Sequence, residues 1–143
     1  MRDGGAFAKS LIAQVRATDA VLAASAHADL QAIHRQLHAA CAALEDVVTF
    51  VAAYAKSDVK AVFAGSVLYL KLAGIVFGGW QMARAALVAS EKIDAGEGDV
   101  AFYRAKLGTA RFFADHFLSQ ADASRAAIVE GSAGVLALAE EQF

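Results

Sequence analysis

The sequence contains no proline, one cysteine and one tryptophan, and its charges nearly cancel. Each shortage removes a class of protein. Without proline the strongest helix breaker is missing, which argues against turn-rich all-β and collagen-like chains. One cysteine closes no internal disulfide, so a stapled secreted module is excluded and a reducing, cytoplasmic setting is expected. Thirteen Lys+Arg against fifteen Asp+Glu leave a net charge of −2, with no electrostatic footprint for nucleic acid. No apolar run follows Met1-Arg2-Asp3-Gly4, so no signal peptide is expected. What fills the space is alanine, 36 of 143 residues and the best helix former, in a chain that is 58% hydrophobic. That apolar content excludes global disorder, and the length fits one domain, residues 1–143.

Helical periodicity then divides the chain. Phe7, Leu11, Val15, Thr18 and Leu22 repeat at i+3/i+4 spacing, with Ala8 and Ile12 beside them, in a first helix over Gly4–Ala24. A turn over Ser25–Asp29, with Asp29 as N-cap, leads to a second helix ending near Ala55. Its apolar stripe is Leu30, Ile33, Leu37, Leu44, Val48 and Val51. Ser57-Asp58 starts a third helix reaching Ile93, apolar on nearly all sides as if surrounded by others. Asp94–Asp99 is a glycine-bearing acidic loop whose Asp99 caps a fourth helix to Gln120. A fifth spans Asp122–Glu130, with Gly131 at its C′ position, and the tail Val135–Phe143 adds a helical turn. Short connections between long amphipathic helices predict an all-α, antiparallel up-and-down bundle of four to five helices. Phe50, Phe63, Tyr69, Phe77, Trp80, Phe102, Phe113 and Phe117 supply the bulk that small Ala and Gly contacts lack.

Ala61–Val88 is the one stretch that invites a membrane reading. Lys71 cuts it short of the roughly 18–20 uninterrupted residues a span needs, so a buried soluble helix and no membrane span are expected. The Gly74–Gly78 spacing suits close helix packing in either solvent.

Few constellations carry chemistry. His27, His34, His38, Cys41 and Glu45 share one face of the second helix, and imidazole, thiolate and carboxylate are zinc-type ligands. Gln31, Thr49 and Lys56 lie on that same face, and the apolar stripe lies elsewhere, so a solvated polar surface is the preferred reading. Cys41, in an alanine-rich interior, reads as an inert thiol. Lys106 interrupts the arc Phe102, Thr109, Ala110, Phe113 and Phe117, where it must snorkel, pair with a buried acid or meet a partner surface. Arg104, Arg111 and Asp115 read as surface charges, Arg111 also as a possible anion contact. There is no GxSxG elbow, and Gly74, Gly78 and Gly79 sit within a helix, which does not support a phosphate loop. No catalytic, cofactor-binding or metal residue is assigned.

A family resemblance covers nearly the whole chain. Val67-Leu68-Tyr69-Leu70-Lys71-Leu72-Ala73-Gly74, Gly79-Trp80 and Ala83-Arg84-Ala85-Ala86 carry part of it. The most specific part is Lys106-Leu107-Gly108-Thr109-Ala110-Arg111-Phe112-Phe113 within Phe102–Ala114, followed by Leu118. Asp3-Gly4-Gly5 at the start and Glu130-Gly131 with Val135-Leu136-Ala137-Leu138 and Phe143 at the end also fit. Together these segments resemble the extra C-terminal domain of a bacterial acyl-CoA dehydrogenase subfamily that includes enzymes acting on 3-methylmercaptopropionyl-CoA. The resemblance implies an accessory domain for assembly or pocket closure, excised from a longer flavoenzyme with Met1 as an added start. It implies FAD, a glutamate that removes the α-proton, and electron-transfer flavoprotein as acceptor, all belonging to preceding flavin-binding domains. A homo-oligomer is the expected assembly. The alternative is a free-standing helical binding module, metal-binding through His27, His34 and His38.

Overall fold

A computed structural model describes residues 4–137 and 140–142. Met1, Arg2, Asp3, Leu138 and Phe143, used above, lie outside the described residues. The chain forms an all-helical bundle: α1 (Ala6–Ala23), α2 (Ala28–Tyr54), α3 (Val59–Ala64), α4 (Ser66–Ala95), α5 (Val100–His116), α6 (Ala121–Glu130) and α7 (Ser132–Val135). Single 3-10 turns occupy Leu118–Gln120 and Glu140–Gln142. The long helices α2 and α4 form the centre, each packed against α1, α5 and α6 as well as each other.

The core follows from the stripes. On α2, Leu30, Ile33, Leu37, Leu44, Val48 and Val51 are all buried as expected, joined by Ala40, Cys41, Ala43 and Val47. Burying one such leucine or valine fully contributes about 1.5–3 kcal/mol. On α1 the buried line is Ile12, Val15, Asp19 and Leu22, while Phe7 is exposed. The expected stripe through Phe7 and Thr18 is therefore turned, because a carboxylate stands in the inward-facing arc. On α5 the buried face is Leu107, Ala110 and Ala114, which moves Phe102 and Lys106 outward.

The single helix expected from Asp58 to Ile93 is broken at Gly65. A side chain there would place its Cβ 2.9 Å from Ile128 Cγ2 and 3.2 Å from Ile128 Cα, so α6 approaches through the gap. Gly65 has ψ of 0°, off the helical value, and the backbone turns before resuming as α4. Close approach of α4 to its neighbours occurs at Gly78, against Phe113, and at Gly79, against Leu118. Gly74, the other half of the expected motif, has open space around it.

Local start and stop signals were partly displaced. Asp99 caps α5 through Phe102 N as expected, at 3.1 Å. His27 caps α2 in place of Asp29, and Asp58, after Ser57, caps α3 by accepting from Ala61 N. Gly131 has φ of −84°, not a left-handed stop, and the chain continues into α7. The fourth helix ends at His116, and a 3-10 turn links it to α6.

Two helices, Ala28–Tyr54 and Ser66–Ala95, are long and apolar enough to cross a bilayer by length and composition. Both lay much of their apolar surface against neighbouring helices in the bundle. The helix α4 is not enclosed on all sides, however. Val67 and Leu70 are 78% and 75% exposed, and Phe63 on α3 is 68% exposed. Of the aromatics expected inside, Phe50, Tyr69, Phe77, Trp80 and Phe113 pack on the core. Phe63, Phe102 and Phe117 face outward.

Candidate functional site

The histidine face of α2 is not simply solvated; it meets α1 across a polar knot. Asp19, 4% exposed, sits where α1 turns its buried arc towards α2. Its Oδ1 lies 2.7 Å from His34 Nδ1 and its Oδ2 2.7 Å from His38 Nδ1. A carboxylate accepts, so both contacts are hydrogen bonds when each imidazole carries a proton on Nδ1. The two rings, one helical turn apart, have centroids separated by 5.5 Å. Arg16 closes the network, with Nη2 donating to Glu45 Oε2 at 2.7 Å and Nε to Oε1 at 3.3 Å. Its Nη1 donates to the His38 carbonyl at 3.3 Å and stands 3.8 Å from Asp19 Oδ2. Two carboxylates against one guanidinium leave the knot with net negative charge when the imidazoles are neutral.

Of the five residues read from the sequence as one ligand face, His34, His38 and Glu45 enter this network. His27 does not: its Nδ1 accepts from Asp29 N at 3.2 Å, an N-cap role. Gln31, on the same face, donates to the carbonyls of Leu22, Ala23 and Ser25, satisfying the open end of α1. Asp19 is the residue that sequence reading missed. Its signal was a carboxylate in phase with Ile12, Val15 and Leu22.

Cys41 is fully buried, and desolvation pushes its thiol up to about 11 despite the nearby Arg16. The inert-thiol expectation has a direct check. Iodoacetamide at pH 8 should leave Cys41 unmodified in the folded protein and modify it completely in urea; rapid native labelling would contradict the burial.

The remaining candidates resolve into contacts. Arg111 ties α5 to the start of α2, its Nε 2.6 Å from Asp115 Oδ2 and Nη1 3.1 Å from Asp29 Oδ1. Lys106 lies outside the core with its ammonium 5.1 Å from the Phe102 ring centroid, a cation–π contact. Lys106, Phe102, Arg84, Val88 and Val21 line an open groove of about 780 Å³ between α1, α4 and α5.

Exposed apolar residues gather on both sides of the Gly65 break: Val59 and Phe63 on α3, Val67 and Leu70 in the first turns of α4. The helix α7 packs on α3 and brings exposed Val135 and Leu136 to the same end. Isolated exposed apolar residues need no explanation, but several at one end of a domain mark a contact surface.

Residues 11–139 match the family described as acetyl-CoA dehydrogenase C-terminal like. The chain is also similar to the 3-methylmercaptopropionyl-CoA dehydrogenase of Ruegeria pomeroyi, at 34% identity over 130 residues. The matched segment is 91% of this chain and 22% of the relative, so the chain spans about a fifth of that protein's length.

Proposed function

Because this chain belongs to the acetyl-CoA dehydrogenase C-terminal-like family, we propose that it is the accessory helical domain of a larger flavin-dependent acyl-CoA dehydrogenase. In this reading it docks on the preceding flavin-binding domains of the same polypeptide and stabilises their homo-oligomeric assembly or closes the substrate pocket. The whole enzyme would introduce an α,β double bond into an acyl-CoA thioester in the cytoplasm, and the name of the Ruegeria relative suggests a sulfur-containing acyl group.

FAD would accept the hydride in those other domains. The described residues do not fit a flavin site of their own. No buried side-chain nitrogen or oxygen among them lacks a hydrogen-bond partner, and the space at Gly78 and Gly79 is filled by Phe113 and Leu118. No step of the dehydrogenation is therefore assigned to this chain.

The observation that carries the docking role is the exposed apolar set Val59, Phe63, Val67 and Leu70. Fully covering a Phe or Leu side chain contributes about 1.5–3 kcal/mol, part of which offsets the cost of association. Since all four already face water, charging them leaves this bundle's own core untouched. In the full-length enzyme, Phe63→Glu with Leu70→Glu is expected to loosen assembly and lower acyl-CoA oxidation at least about tenfold, a loss of roughly 1.4 kcal/mol. The isolated domain carrying both changes should keep its helicity and melting temperature. A full-length double variant with wild-type assembly and rate would refute the docking role.

A further inference from the structure

The α1–α2 knot has a property that neither helix packing nor the docking role requires. Asp19, His34 and His38 each offer one ligand-type atom, and these atoms lie within 4.8 Å of one another. They come from two helices, with the carboxylate held in the core and the imidazoles nearer solvent. We infer that this triad is a binding site for one divalent first-row transition ion, with zinc as the reference ion. The inference is independent of the dehydrogenase reading, which assigns no metal to this domain.

The donor chemistry favours such an ion. Two imidazoles and one carboxylate suit zinc and its neighbours, whereas magnesium and calcium prefer all-oxygen sites. Three protein ligands leave further positions for water, as in open sites. The geometry has to adjust in two directions. Both Nδ1–Oδ separations are 2.7 Å, a hydrogen-bond length, and they run to different oxygens of Asp19. Around a tetrahedral ion with bonds of about 2.0–2.1 Å, neighbouring donors stand roughly 3.3 Å apart. Each ring therefore withdraws slightly from its oxygen, while the widest pair of the triad, now up to 4.8 Å apart, closes on the ion. On entry of the ion each imidazole keeps its single proton, which moves through solvent from Nδ1 to Nε2. The Nδ1 lone pair then replaces the N–H that Asp19 now accepts.

Arg16 sets the cost. Its Nη1 stands 3.2 Å from His38 Nδ1 and 3.8 Å from Asp19 Oδ2, a cation beside the position the ion would take. The guanidinium has to retreat towards Glu45, which already holds it by two nitrogens. Glu45 thus keeps Arg16 paired while Asp19 changes partner. This competition predicts reversible rather than permanent loading. Cys41 is near enough to feel Asp19 electrostatically, but burial holds it as a thiol, so it is not counted as a ligand.

The test is calorimetric titration of the untagged domain with zinc chloride at pH 7.5. Wild type should bind one zinc per chain saturably, and excess zinc should raise its melting temperature. His34→Asn and His38→Asn place an amide N–H near the Nδ1 position that faces Asp19, without the imidazole lone pair, and their far-UV circular dichroism should match wild type. Each should weaken binding at least about tenfold, and the pair should abolish it. His27→Ala, outside the triad, should bind as wild type. Absence of saturable binding by wild type, retention of it by the double Asn variant, or equal loss in His27→Ala would each overturn the site.

Discussion

Valine in place of Gly79 is expected to cost the bundle about 3 kcal/mol. The reason is the contact between α4 and the turn after α5. A Cβ at position 79 would stand 2.6 Å from Leu118 Cδ2, 2.9 Å from Cδ1 and 3.0 Å from Cγ, so the whole isobutyl group obstructs it. Leu118 is itself buried and cannot swing into solvent. Relief requires either α4 or the 3-10 turn to move, against cores packed to crystal-like density. Alanine at the same position should cost less, since about 1 kcal/mol of helix propensity gained over glycine offsets part of the clash. Urea denaturation of Gly79→Val, Gly79→Ala, Leu118→Val and the double variant Gly79→Ala/Leu118→Val checks this. The double variant should be more stable than the sum of its singles, because trimming Leu118 opens the space that the new methyl needs. Strict additivity would mean that the two groups do not compete for one volume.

The second large effect is expected at Asp19. Its replacement by alanine removes one acceptor that two imidazoles share and that Arg16 approaches. Hydrogen bonds to a charged group contribute about 1.5–3 kcal/mol each, but His38 is 60% exposed on its side chain and recovers water when the carboxylate is gone. His34 is less open, with 23% exposure, and recovers less. The net loss should therefore be about 2–3 kcal/mol, or roughly 10 °C in melting temperature for a chain of this length. Thermal unfolding followed by far-UV circular dichroism measures it. With both histidines already changed to alanine, Asp19→Ala should lose most of its effect, since the carboxylate then keeps only Arg16 Nη1 at 3.8 Å. An undiminished effect in that background would assign the loss to packing rather than to the imidazoles.

These two positions also mark where sequence reasoning reached and where it stopped. The α2 stripe was legible because Leu30, Ile33, Leu37, Leu44, Val48 and Val51 keep one period over about six turns. The stripe of α1 was misread because hydrophobicity alone chose Phe7 and Thr18, whereas the inward arc contains Asp19. Its burial depends on two imidazoles brought near by the fold, 15 and 19 residues further along the chain. A carboxylate in an apolar arc is ambiguous until its partner helix is known. The same holds for Gly65 and Gly79. Their neighbours Ile128 and Leu118 are distant in sequence, so a glycine inside an apolar run gave no sign of whether it broke the helix or admitted a leucine. The α3–α4 face failed for a further reason. Apolar on all sides predicts enclosure, yet the residues that enclose a helix need not belong to the same domain. The family pattern around Lys106 and Arg111 was legible as a pattern, but what those residues touch emerged only with the fold.

The break at Gly65 has a consequence for how this end of the molecule holds itself together. Ala61 is the one buried residue of α3, and α7 beneath it contributes none among the described residues. A six-residue helix is below the length at which intrinsic helicity sustains itself, so α3 depends on what leans against it. The stability of the bundle therefore grades along its length, with α3 and α7 opening and closing at a smaller free-energy cost than the α2–α4 centre. A partner that covers Phe63 and Val67 would bind the surface whose order is least secured from within. Part of its binding free energy would go into quieting α3, and docking would register in α3 and α7 as slower amide exchange without any rearrangement of the core.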